Sequence, residues 1–151
     1  MIELMIADEK AFALNTLELD RSGPSYTLDS LREIRHQTDA TLVLVLGADA
    51  FNNFASWKLP HEILKIAHLV VCYRPGYAVD SHIFDAYFAE SPGVLSEHLA
   101  GAILMLEVEA PDCSSSEVRA ALEQGEATER CIRPVVADYI NKHNLYRRTI
   151  D

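Results

Sequence analysis

The chain has 151 residues, 49% of them hydrophobic, and carries 13 Lys and Arg against 23 Asp and Glu for a formal charge of −10. That length and balance describe one globular domain, and the charge repels polynucleotide backbones, whose binding rests on a basic surface. Apolar runs such as residues 41–46 and 68–72 are too short to span a bilayer, and the N-terminus lacks the basic-then-apolar layout of a signal peptide, so a cytoplasmic protein that binds neither nucleic acid nor membrane is expected.

In chain order, residues 2–8 read as the end of a helix, apolar at Ile2, Leu4, Met5 and Ile6. Residues 12–19 read as a strand closed by the turn residues Ser22, Gly23 and Pro24. Ser25 or Thr27 then caps a helix whose apolar positions are Leu28, Leu31 and Ile34. Residues 41–46 form an unbroken aliphatic run, the pattern of a strand buried on both faces of a parallel sheet. The run ends at Gly47, followed by Asp49 and a short helical segment over residues 50–54. Ligands gather beyond the carboxyl ends of such strands, which puts Gly47 and Asp49 where a ribose is expected, although Asp49 also suits a helix cap.

Pro60 starts a helix to Ala67, and residues 68–73 are the next aliphatic strand, closing on Arg74, Pro75 and Gly76. Residues 80–90 carry Ile83, Phe84, Tyr87 and Phe88 and read as a helix, and residues 102–108 as a third aliphatic strand. Pro111 and Asp112 lead into a helix opened by Ser114, Ser115 and Ser116, running to about Glu123 and stopped by Gly125. Pro134 opens the final helix, which carries Val135, Val136, Tyr139 and Ile140 and ends near Asn144. Strands alternating with helices specify an α/β fold with a mostly parallel sheet covered on both faces.

The serine-opened helix carries the sharpest chemical signal. First-turn N–H groups lack intrahelical partners and, with the macrodipole, attract anions; three hydroxyls and Arg119 one turn later would complete a phosphate grip. The competing reading of Ser114 is a plain N-cap in a Ser-x-x-Glu capping box. Cys72, Cys113 and Cys131 are odd in number and widely spaced, which favours reduced thiols over a disulfide framework or zinc site. His36, His61, His68, His82, His98 and His143 show no ligand spacing and read as structural or solvated, so no protein metal site is expected.

Six landmarks occur in order: SYT at 25–27, GAD at 47–49, Trp57 after FNNFAS, CYRPGY at 72–77, SSSEVR at 114–119 and YINKHNLY at 139–146. From about residue 2 to residue 148 the chain resembles the bacterial nicotinate-nucleotide adenylyltransferase family. The resemblance implies a Rossmann-like nucleotidyltransferase fold that transfers adenylyl from ATP to nicotinate mononucleotide with Mg2+ on the ATP phosphates. By the family pattern Gly47 and Asp49 meet the nucleotide, with Arg74 at the border of its pocket. Ser114, Ser116 and Arg119 hold phosphates, Arg119 stabilising their charge in catalysis. Tyr26 and Thr27 lie at the nicotinate moiety and Trp57 stacks on the pyridine ring. Bland counterparts are a half-buried packing role for Trp57, helix capping by Tyr26 and Thr27, and an exposed turn for Arg74. Departures are Cys113, where the family usually has isoleucine, and Ser116, where threonine is common.

The family also opens with a strand and a GxFxPxHxGH motif whose histidines polarise the phosphates, and no stretch of the 151 residues matches it. A strand with its crossover helix needs ~30 residues. The expectation is therefore an N-terminally truncated domain with little turnover. Its segment 12–19, cut off from residues 41–46, dangles, mispairs or recruits another chain, leaving room for a homo-oligomer. Two alternatives stay open: a non-catalytic nucleotide-binding module, and an adenylyltransferase for another small phosphorylated acceptor, such as phosphopantetheine, since those enzymes share a serine-rich helix start. The SYT and Trp57 landmarks favour the pyridine nucleotide.

Overall fold

A computed structural model describes residues 1–76, 79, 82–110, 113–126 and 131–146. The expectations for Tyr77, for a helix start at Asp80 and for Pro111 and Asp112 lie outside the described residues. The chain sorts into two compact units, residues 16–109 and residues 1–15 with 110–151.

The larger unit is built on a four-stranded sheet of β1 (Val43–Gly47), β2 (His68–Tyr73), β3 (Phe88–Ala89) and β4 (Ile103–Glu107), in the order β1-β2-β4-β3 with every pair parallel. The connections carry α3 (Ala48–Asn52), α4 (Pro60–Leu64), a 3-10 segment at His82–Tyr87 and α5 (Val94–Glu97), while α2 (Thr27–Arg35) precedes β1. Strand residues alternate faces. Leu46, Leu69, Val71 and Ile103 therefore share one face, where they pack with Leu28 and Leu31 of α2, Phe51, Phe54, Ile63 and Leu64. Phe51, Phe54 and Phe84 form an aromatic knot inside this core, with centroids 5.1–6.2 Å apart.

His68 is fully buried at the start of β2 and bonded at both ring nitrogens. The Ala102 N–H donates to Nδ1 at 3.0 Å, which leaves the hydrogen on Nε2 to donate to the His98 carbonyl at 2.9 Å. The residue thus satisfies two backbone groups of the β4 approach that burial would otherwise strand. It is one of the histidines expected to be structural.

Four expectations need correction here. Residues 12–19 contribute no strand: residues 17–19 are turns, tied by Leu19 N–H to the Thr16 carbonyl. Glu18 accepts from Ser30 Oγ at 2.5 Å and Arg21 donates to both Ser30 and Glu33, so side-chain bonds to α2 hold Glu18 and Arg21 in place of a ladder. Second, β1 is not buried on both faces. It is a sheet edge, and Val43 and Val45 are 41% and 61% exposed because α2, α3 and α4 all pack on the Leu46 face. Third, within the stretch read as a helix over residues 80–90, His82–Tyr87 form a 3-10 segment and Phe88–Ala89 the two-residue strand β3. Fourth, neither Ser25 nor Thr27 caps α2: Tyr26 is the N-cap without a side-chain bond, and Ser25 Oγ donates instead to the Glu18 carbonyl.

The smaller unit holds α1 (Ile2–Ile6), α6 (Ser115–Gln124) and α7 (Pro134–Lys142). Val136 and Ile140 are the buried residues of α7, and Arg133 ahead of it donates to the Met5 carbonyl at 2.6 Å. Gly125, at φ 73°, takes the left-handed conformation that ends α6, as a glycine C-cap does. Cys113 and Cys131 form a disulfide, contrary to the expectation of reduced thiols, and Cys72 is the free cysteine. Their wide spacing in sequence carries no information about the 5.7 Å between their Cα atoms.

Candidate functional site

The residues singled out in the sequence fall into two groups, one in each unit, described in turn.

In the smaller unit Ser114 is the N-cap of α6 in extended conformation, φ −92° and ψ 147°. Its Oγ accepts from the Glu117 N–H at 3.1 Å while its own N–H donates to Glu117 Oε2 at 3.0 Å, a complete capping box. These bonds use the N–H groups of Ser114 and Glu117, so those of Ser115 and Ser116 face the open end of the helix without intrahelical partners. Arg119 is exposed and donates a long 3.4 Å bond to Ser116 Oγ, which draws the guanidinium back along the helix towards its mouth. A cavity of about 230 Å³ opens beside this turn, lined by Cys113, Ser114, Ser115, Arg119 and Cys131 and, for its larger part, by apolar side chains such as Val118, Leu122, Val136 and Ile140. The arrangement offers an anion N–H groups, hydroxyls and one cation, but it also presents the Glu117 carboxylate of the capping box.

In the larger unit Gly47 closes β1 and is the N-cap of α3, with Asp49 in the first turn. Gly47 pairs in register with Cys72, so Arg74, two residues beyond, emerges at the same carboxyl edge of the sheet. Gly47, Asp49 and Arg74 are all exposed. Trp57 follows the 3-10 turn Phe54–Ser56, half-buried, with its ring edge-on to Phe54 at 5.4 Å. Phe54 is fully buried, so one side of the indole is anchored on the core.

Tyr26 and Thr27, at the start of α2, come close to the segment after Trp57 through Lys58. The Lys58 ammonium lies 4.2 Å above the Tyr26 ring and pairs with Asp29 at 3.0 Å. Lys58 escaped the sequence reading because both partners are some 30 residues away; its place beside Trp57 was the one available signal. Away from these residues, Glu62 of α4 and Lys65 form an exposed ion pair. A hydrogen bond from Lys65 holds the Glu62 carboxyl below its usual range, and the same bond raises Lys65. No three His, Cys, Asp or Glu side chains converge on a metal position among the described residues, nor is any described helix long and apolar enough to cross a membrane.

Residues 1–121 match the cytidylyltransferase-like family. The chain is 34% identical to the nicotinate-nucleotide adenylyltransferase of Salmonella typhimurium strain LT2, over 97% of this chain and 73% of that protein. It is 35% identical, with the same coverage, to the probable nicotinate-nucleotide adenylyltransferase of Escherichia coli O139:H28. Among solved structures, Plasmodium falciparum nicotinic acid mononucleotide adenylyltransferase complexed with APC superposes with a TM-score of 0.61 at 18% identity, covering 97% of this chain and 73% of that one. The same enzyme complexed with NaAD gives 0.60 at 20% identity, over 86% and 61%. At those identities the structures speak to the fold, and they agree with the parallel α/β sheet described above.

Proposed function

The chain belongs to the nicotinate-nucleotide adenylyltransferase family, and from that premise we propose that it transfers adenylyl from ATP to nicotinate mononucleotide, releasing pyrophosphate. The observation that carries the reading is the 34% identity to a nicotinate-nucleotide adenylyltransferase across 97% of the chain. The serine-opened α6 with Arg119 supports it with the donors a polyphosphate needs.

In the proposed reaction a phosphate oxygen of nicotinate mononucleotide attacks the α-phosphorus of ATP in line. The new P–O bond forms as the bond to the β-phosphate bridge breaks, and no covalent protein intermediate is needed. Catalysis is then alignment of two anions together with stabilisation of spreading charge. Arg119 and the Ser115 and Ser116 N–H groups meet phosphate oxygens, with the hydroxyls of Ser114 and Ser116. Gly47, Asp49 and Arg74 serve the nucleotide, Tyr26 and Thr27 the nicotinate moiety, and Trp57 the pyridine ring. Mg2+ enters as the counterion of ATP on its phosphate oxygens, with no cluster of protein ligands assigned to it. The setting proposed is the cytoplasm, without nucleic-acid or membrane partners.

The test is calorimetric titration with ATP and with nicotinate mononucleotide, then measurement of pyrophosphate and dinucleotide from the two together. Product formation, even at the low rate expected from the sequence, supports the transferase. Binding without product replaces it with a nucleotide-binding module, and binding of neither refutes the reading.

A further inference from the structure

Cys113 precedes Ser114, the N-cap of α6, and Cys131 stands shortly before Pro134, the first residue of α7. Their disulfide therefore links the entrances of two helices. Cys131 is an exposed residue and Cys113 a half-buried one, so the Cys131 side of the bond is the more open to solvent. Both cysteines line the same cavity as Ser114, Ser115 and Arg119, so the bond forms part of the wall around the α6 mouth.

We propose that Cys113 and Cys131 form a reversible thiol–disulfide site that sets how firmly the mouth of α6 holds phosphate, its reactant being a small or protein dithiol. The inference rests on the reading of α6 as a phosphate site. A thiolate of the dithiol attacks Sγ of Cys131, forming a mixed disulfide, and Cys113 leaves as a thiolate that takes up a proton. The second thiolate of the reductant then closes on its own sulfur and releases Cys131 as a thiol. Two electrons and two protons pass to the cysteine pair, and the dithiol ends as a disulfide; oxidation is the reverse exchange.

The coupling to phosphate follows from where the link sits. A cross-link removes freedom from the segment it closes, and this one closes on the residue next to the N-cap whose neighbours supply the N–H donors. The Ser114–Glu117 capping box holds the turn in both states, but in the oxidised chain the approach through Cys113 is also fixed when the anion arrives. In the reduced chain binding must order that approach, and that cost appears as weaker affinity.

The experiment equilibrates the full chain in buffers of graded oxidised and reduced dithiothreitol. Free thiols are trapped with a maleimide and counted by mass, and ATP is titrated into each form by calorimetry. Beyond the free Cys72, two further thiols are expected to appear together on reduction and to vanish on oxidation. The oxidised form is expected to bind ATP about threefold to tenfold more tightly, the ordering cost of roughly one side chain. Cys131→Ser is expected to bind as the reduced form does in either buffer. Circular dichroism checks its fold, and if it fails to fold the wild-type comparison decides alone. Thiols that never pair, or a disulfide that yields only to unfolding, overturn the site. Equal ATP affinity in the two states overturns the coupling and leaves the functional reading intact. Absence of ATP binding in both states, with normal pairing, overturns the functional reading and the coupling with it.

Discussion

Ser114 and Glu117 bond each other reciprocally across the first turn of α6, the Glu117 N–H to the Ser114 hydroxyl at 3.1 Å and the Ser114 N–H to the Glu117 carboxylate at 3.0 Å. The box starts the helix firmly, yet it holds a negative charge at the mouth proposed to receive phosphate. Glutamine serves a capping box as well as glutamate does. Glu117→Gln should therefore keep the helix while removing one negative charge from the turn; two unit charges about 4 Å apart in water repel by about 1 kcal/mol. ATP should bind roughly fivefold more tightly, and the gain should shrink as salt is raised. Calorimetry at two ionic strengths measures both, and an unchanged affinity at low salt refutes the placement of phosphate at this turn.

Arg119 tests the same turn from the opposite sign. Its side chain is exposed and its bond to Ser116 is long, so its removal should leave thermal stability nearly unchanged. Charge-assisted hydrogen bonds contribute about 1.5–3 kcal/mol. Arg119→Ala should accordingly weaken ATP binding by about 10- to 100-fold. Arg119→Lys should recover part of that loss, because an ammonium keeps the charge without the planar fork. Equal ATP affinity in all three proteins would remove Arg119 from the site.

The start and end of α6 were readable in the sequence because that helix is specified locally. Its start is set by a Ser-x-x-Glu pair three residues apart and its end by Gly125, and both signals act within one helical turn. The strand β2 was equally plain, an unbroken aliphatic run at the bounds expected for it. What the sequence left obscure depends on distant partners. Residues 12–19 and the turn residues after them read locally as a strand, but Glu18 is claimed by Ser30, twelve residues on. The run at β1 shows no parity, so nothing in it says that Val45 faces away from the helices that cover Leu46. The meeting of Cys113 with Cys131, and of Lys58 with Tyr26, arises from the path of the chain between them.

His68 supplies a test of the fold that is independent of any ligand. Truncating it to alanine leaves the Ala102 N–H and the His98 carbonyl without partners, and each orphaned group costs about 1–3 kcal/mol. The emptied volume adds to that loss, so His68→Ala should destabilise the chain by about 3–5 kcal/mol. That is a large share of the ~5–15 kcal/mol of an ordinary domain. His68→Asn should lose less, since its amide oxygen can stand in for Nδ1 towards Ala102. Urea unfolding of the three proteins gives the order, and equal midpoints for wild type and His68→Ala would show the two bonds to be dispensable.

Trp57 is the sole tryptophan in the chain, which makes its emission a direct reporter of its surroundings. The ring rests edge-on against Phe54 and is half-buried, so packing alone accounts for one side of it. A pyridine ring stacked on the indole should quench the fluorescence as nicotinate mononucleotide is added, whereas ATP should leave it little changed. Aromatic stacking of this kind contributes about 1–3 kcal/mol. Trp57→Ala should thus weaken nicotinate mononucleotide binding by roughly 5- to 100-fold, with Trp57→Phe in between and ATP affinity preserved in both. A uniform loss of both affinities, tracking a loss of thermal stability, would instead mark Trp57 as a packing residue on Phe54 and remove it from the substrate site.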